Sequence, residues 1–157
     1  MKNYKVPDVS LFGVKKLDDQ HQELFDILDG FNAIGDPGSA AEIDRLFGRL
    51  HDLLVRHFAD EEQLMAETGY SKLREHCVHH RKLLQEVAAI RQRVADRGRI
   101  MVSDTHQSID KVLRHMLIWD GPFNSHLKAI GYCEPSGRDP GALAPMAEGR
   151  PGTALPN

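Results

Sequence analysis

The stretch LLVRHFADEEQLMAETGYSKLREHCVHHRKLL, residues 53–84, reads as two amphipathic helices that meet at Gly69. The apolar stripe of the first runs through Ile43, Leu46, Phe47, Leu50, Leu54, Phe58, Leu64 and Met65, at the three-and-four spacing of a buried helix face. His57 and Glu61 sit inside that stripe. The second carries Leu73, Cys77, Leu83, Leu84 and Val87, extending to Ile90 and Val94, with His76 and His80 in the same row. Residues four apart on an α-helix differ by only about 40° around the axis, so each polar pair points in one direction, toward the core. Gly69 suits the left-handed position that closes the first helix, and Ser71 is placed to cap the second.

Working outward, apolar residues recur at helical spacing from Leu17 through Leu24, Phe25, Leu28 and Phe31, with His21 on the same face. Asp36-Pro37-Gly38 signals a turn, and Ser39 with Glu42 forms a capping box that starts the next helix near Ala40. Beyond the turn-forming segment ADRGRIMVS, a fourth helical face carries Ile109, Val112, Met116, Trp119 and Phe123, flanked by His115 and Asp120. Gly121-Pro122 follows at once. A proline inside a helix lacks the backbone donor and clashes with the carbonyl four residues earlier, so this helix should kink or restart there. Four helices with short connections predict an all-α, up-down-up-down four-helix bundle over residues 17–132. An irregular N-terminal arm, 1–16, precedes it. Residues 133–157 read as a disordered tail, because five of the eight prolines fall there with few large apolar residues.

A chain of 157 residues is the size of one domain. Its formal charge of −3 and pI near 6.3 give no basic footprint for nucleic acid and no polybasic segment for an anionic membrane. The N-terminus has no continuous apolar run of a secretory signal, and no stretch approaches bilayer-spanning length. Cys77 and Cys133 form no CxxC pair, which argues against a zinc knuckle or a thioredoxin-type motif and fits a reducing compartment. The expectation is a soluble, cytoplasmic protein.

The chemistry lies in the polar residues on the inward faces: His21, His57, Glu61, His76, His80, His115 and Asp120. One histidine on an apolar face is ordinarily a hydrogen-bonded core residue. Five imidazoles and two carboxylates converging from all four helices are another matter. Their combined desolvation is offset by cationic metal, and the set suffices for two ions. His115 and Asp120 are the outliers, since five residues on an ideal α-helix put them about 140° apart. His80 is preferred to His79 as a ligand because it continues through Leu83, Leu84 and Val87. His51, His106 and His126 read as surface or boundary residues, Asp60 and Glu62 as solvated charge, and Cys77 as a small packed residue.

LDDQH at 17–21, HFADEE at 57–62, GYSKLREHCVHH at 69–80 and HMLIWD at 115–120 occur in the order found in the hemerythrins. From about Leu11 to Leu127 the chain resembles that family, and within it the single-domain bacteriohemerythrins. The resemblance implies a non-haem, oxo- or hydroxo-bridged di-iron centre, bridged by Glu61 and Asp120. It assigns His76, His80 and His115 to one iron and His21 and His57 to the other, which leaves one position open for O₂. Its implied function is reversible O₂ binding for storage, delivery or sensing rather than enzymatic turnover. Competing readings are a di-iron redox enzyme acting on peroxide or nitric oxide, and an O₂ or redox signalling module acting on a protein partner through the arm or tail. A monomer is expected, with neither nucleic acid nor membrane as partner. Leu24, Phe25, Val112 and Met116 are candidates for lining the O₂ pocket. Lys111 stands where the family often has tryptophan.

Overall fold

A computed structural model describes residues 11–34 and 40–134. Its helices are α1 (Lys15–Ala33), α2 (Ala40–Glu67), α3 (Leu73–Arg97), α4 (Val102–His115) and α5 (Gly121–Ala129), with a π-helical turn at Met116–Asp120 joining the last two. No strand occurs among the described residues. α1 packs on α2, α2 on α3, α3 on α4, and α4 back on α1, which closes the expected four-helix ring. None of the described helices is long and apolar enough to cross a membrane. Most of the arm (1–10), the Asp36-Pro37-Gly38 turn, Ser39 of the capping box and nearly all of the tail (135–157) lie outside the described residues.

Local chemistry sets the helix ends. The Asp18 carboxylate accepts the Phe12 and Gly13 amides at 2.7 and 3.0 Å, which turns the chain into α1. At the end of α2, Gly69 is left-handed, with φ +67°. Its amide bonds the Ala66 carbonyl at 3.3 Å and that of Tyr70 bonds the Met65 carbonyl at 2.9 Å, the paired closure expected of a C-terminal glycine. Ser71 does not cap α3: Lys72 holds the N-cap position without a side-chain bond. The turn from Tyr70 to Leu73, whose amide reaches the Tyr70 carbonyl at 3.2 Å, leaves Ser71 one residue short of the cap.

α4 begins under Asp104, which is 2 % exposed. Its carboxylate accepts the Met101 amide at 2.9 Å and two Arg97 donors at 2.9 and 3.3 Å. Burial resists its ionisation, but Arg97, the Met101 amide and Arg93 hold its pKa below the usual carboxylate value. The stabilisation from a carboxylate depressed in this way is present above its unfolded pKa and disappears as pH falls through the folded one. Asp104→Asn is therefore expected to cost the metal-free protein about 1–2 kcal/mol near neutral pH, and progressively less as the pH is lowered below the ordinary carboxylate range. Urea denaturation at neutral and at acidic pH checks this; a cost that does not fall with pH would show that the charge contributes nothing.

Two apolar clusters fill the bundle. The larger includes Leu24, Phe31, Phe47, Leu54, Phe58, Leu83, Val87, Val112 and Met116. The smaller, at the Gly69 end, includes Phe12, Leu17, Leu64, Tyr70, Phe123 and Leu127. Each inward polar residue falls in sequence between members of the two clusters, so the polar groups form one layer with apolar material on either side.

The fourth helix restarts where Pro122 requires it, and the way it does so resolves the His115–Asp120 spacing. The Gly121 amide bonds the Met116 carbonyl, five residues back. A turn closed in this way holds one more residue than an α-turn, so residues five apart stack instead of diverging. Asp120 Oδ1 lies 2.9 Å from His115 Nε2. Pro122 then occupies the first turn of α5, where its fixed φ fits and its missing N–H is not required.

Candidate metal centre

α1 contributes His21, α2 His57 and Glu61, α3 His76 and His80, α4 His115, and the π-turn Asp120. All seven are at most 2 % exposed. The structure brings together every inward residue selected from the sequence. Donor atoms of Glu61, His76, His80, His115 and Asp120 lie within 4.8 Å of one another, as do those of His21, His57 and Asp120. Asp120 belongs to both groups.

Within the first group, His80 Nε2 is 3.2 Å from Glu61 Oε2, and His76 Nε2 is 3.2 Å from Asp120 Oδ1 and 3.6 Å from Glu61 Oε2. Within the second, the Nε2 atoms of His21 and His57 face each other at 3.2 Å, and His21 Nε2 is 3.7 Å from Asp120 Oδ2. The rings are held by packing. Phe58 stacks on His80 with centroids 3.8 Å apart and planes within 6°, while Phe12 meets His21 edge-on at 5.2 Å.

The outward ring nitrogens reveal residues the sequence reading missed. His57 Nδ1 lies 3.1 Å from Gln20 Oε1, and the Gln20 amide in turn donates to Asp60 Oδ2 at 2.7 Å. Lys16 also bonds Asp60. His80 Nδ1 is 2.7 Å from Glu62 Oε1. Asp60 and Glu62 are thus not merely solvated charge: one anchors the amide that orients His57, and the other binds His80 directly. Asp60 is three residues after His57, a spacing that hints at a shared flank; Glu62 reaches across to α3, which no local pattern signals. His79 lies outside both donor groups, as the row through His80 predicts, and its Nδ1 is 3.1 Å from His115 Nδ1. Cys77 is half-buried and free. His51 pairs with Asp52 and His126 with the Thr68 carbonyl, while His106 is exposed, in keeping with surface and boundary positions.

Burial governs the electrostatics. It pushes His57 down to about 3, with His21 adding to the effect, and it lowers His80 with help from His115 and His76. Both are therefore neutral at neutral pH with a lone pair to offer. Glu61 is driven well above the carboxylate range by burial and by Asp120 beside it. Asp120 is buried too, yet the adjacent His115 takes it well below that range.

These residues fit a metal pair. Both oxygens of Glu61, Oδ2 of Asp120, and Nε2 of His80 and His115 are buried without a hydrogen-bond partner among the described residues. Several stand close to an opposite group, but misaligned for a hydrogen bond. Unpaired buried polar atoms are costly and rare, and an ion that accepts their lone pairs accounts for them together. Neighbouring ligands at right angles, on bonds of ~2.1 Å, lie ~3 Å apart, close to the separations here.

A family profile described as the hemerythrin HHE cation binding domain matches residues 13–123. The chain is 32 % identical over 76 residues to the bacteriohemerythrin of Methylococcus capsulatus, covering 48 % of this chain and 58 % of that protein. It is 35 % identical over 75 residues to a Campylobacter jejuni bacteriohemerythrin, covering 47 % and 56 %. Against the myohemerythrin of Sipunculus nudus it is 32 % identical over 75 residues, covering 48 % and 58 %. The chain thus spans less than two thirds of the length of these relatives. In three dimensions it superposes on a crystal structure of a hemerythrin leucine-to-tyrosine variant with a TM-score of 0.70 and 25 % identity, covering 81 % of this chain and 98 % of that one. The matched span runs from the turn into α1 to the residue after Pro122 and encloses the whole polar layer, so the chain belongs to the hemerythrin family and is bacteriohemerythrin-like.

Proposed function

We propose that this chain holds two iron ions and binds O₂ reversibly. One iron would be held by His76, His80 and His115 and the other by His21 and His57, with Glu61 and Asp120 available to both. The observation that carries the reading is that Glu61, Asp120, His80 and His115 hold buried donor atoms without hydrogen-bond partners among the described residues, with Asp120 belonging to both donor groups. When bound, such an iron pair would supply the two-electron redox chemistry that reversible O₂ binding requires.

The chain's own residues decide whether that exchange is reversible. Phe58, Leu24, Phe25, Val112 and Met116 belong to the same buried cluster, and Phe12 closes the His21 side, so water and its protons are kept from the layer. The donor set is rich in neutral imidazole and holds only two carboxylates. Anionic oxygen donors stabilise highly oxidised iron, so this balance supports binding over oxidative turnover. Gln20 and Glu62 hold His57 and His80 with their lone pairs inward.

Admission of O₂ to the reduced, iron-loaded protein is expected to produce a visible absorption band that fades when O₂ is swept out with argon. Absence of any band would refute the proposal. An irreversible change, with steady consumption of peroxide or nitric oxide, would replace it with the redox-enzyme reading.

A further inference from the structure

Three inward-facing histidines meet three different acceptors at their outer nitrogens: a carboxylate, Glu62, on His80; an amide oxygen, Gln20, on His57; and a second imidazole, His79, on His115. The last is the unusual one. His115 turns Nε2 toward Asp120, at 2.9 Å, and Nδ1 toward His79 Nδ1, at 3.1 Å. A neutral imidazole that offers its Nε2 lone pair inward carries its proton on Nδ1, so His79 Nδ1 must be the acceptor and the proton of His79 sits on its own Nε2. The two ring planes lie 11° apart with centroids 5.3 Å apart, a geometry compatible with an N–H···N bond between the two Nδ1 atoms. His79 is itself braced, its ring stacked on Trp119 with centroids 4.4 Å apart and planes 26° apart.

We propose that His79 is a positioning residue for the metal centre: it accepts the outer proton of His115 and so keeps the inner nitrogen of His115 free and aimed. This rests on the reading of His115 as a ligand. His79 supplies no ligand atom; without it, the Nδ1–H of His115, a residue only 2 % exposed, loses its acceptor. Lost outer partners of metal-bound histidines typically weaken the metal 10–100-fold.

The test separates acceptor from packing. His79→Gln keeps an acceptor, whereas His79→Phe keeps a ring against Trp119 and removes the acceptor. Ferrous ion is titrated anaerobically into the full chain against a competing chelator, with circular dichroism reporting helix content. Wild type is expected to take up two equivalents, His79→Phe to bind one of them about tenfold more weakly, and His79→Gln to stay within about threefold of wild type. If the phenylalanine variant loses helix, His79→Leu, also without an acceptor, takes its place. Wild-type affinity without the acceptor, or equal loss in both variants, would overturn the role of His79 while leaving the metal centre intact. Failure of wild type to take up two equivalents would overturn both.

Discussion

Ferrous ion added anaerobically to the metal-free chain is expected to raise its thermal midpoint by roughly 20 °C, and a strong chelator to reverse the shift. The size follows from what the metal-free fold buries. Glu61, Asp120, His80 and His115 carry inner atoms without hydrogen-bond partners, at positions almost closed to water. His57, held near 3 by burial, presents a lone pair at 3.2 Å from His21. An ion that binds only the folded state, at a free concentration a thousand times its dissociation constant, adds about 4 kcal/mol, and two add about twice that. Magnesium should do far less, because imidazole nitrogen is a poor ligand for it. A midpoint indifferent to ferrous ion would mean that the polar layer satisfies itself, and the case for a metal centre would fall.

How far the layer was legible in the sequence depends on where each contact arises. His57 with Glu61, and His76 with His80, are four apart on ordinary α-helices, so periodicity alone fixes their common direction. The boundaries at Ala40 and Gly69 rest on equally local signals. His115 and Asp120 did not follow from ideal geometry, since their stacking depends on the π-turn; Pro122 marked a break but not its form. Ser71 misled because chain closure after Gly69 consumes the next two residues in a turn. Gln20, Glu62 and His79 were out of reach for a different reason. Each acts on a histidine of another helix, and helix rotation and relative height decide such contacts.

The same contrast explains why the polar layer sits where it does. Leu17 and Leu24 bracket His21, and Val112 and Phe123 bracket His115 and Asp120, each pair divided between the two apolar clusters. The clusters fix the helices on both sides of the layer, so apolar packing rather than the polar groups themselves holds the donor atoms together. The fold therefore bears the desolvation of the site in the metal-free state and recovers it on binding.

Glu61→Met is accordingly expected to have opposite effects in the two states. In the metal-free chain it replaces a carboxyl group that is fully buried, pushed toward its neutral form and without a hydrogen-bond partner. Methionine is unbranched, similar in length and asks for no partner, so the metal-free protein should gain about 1–3 kcal/mol. With ferrous ion the variant should lose most of the wild-type thermal gain, because both irons lose a shared ligand. Urea denaturation with and without iron reads both signs in one protein. A variant less stable than wild type without metal would show that Glu61 is held by its neighbours His80 and His76, at 3.2 and 3.6 Å, despite their misalignment. Uptake of two irons by the variant would show that Glu61 is not a ligand the pair needs. The first exception would leave the proposed function standing, and the second would remove Glu61 from the proposed site; a carboxyl group whose removal strengthens the metal-free fold and disables the loaded one is kept for the metal it holds.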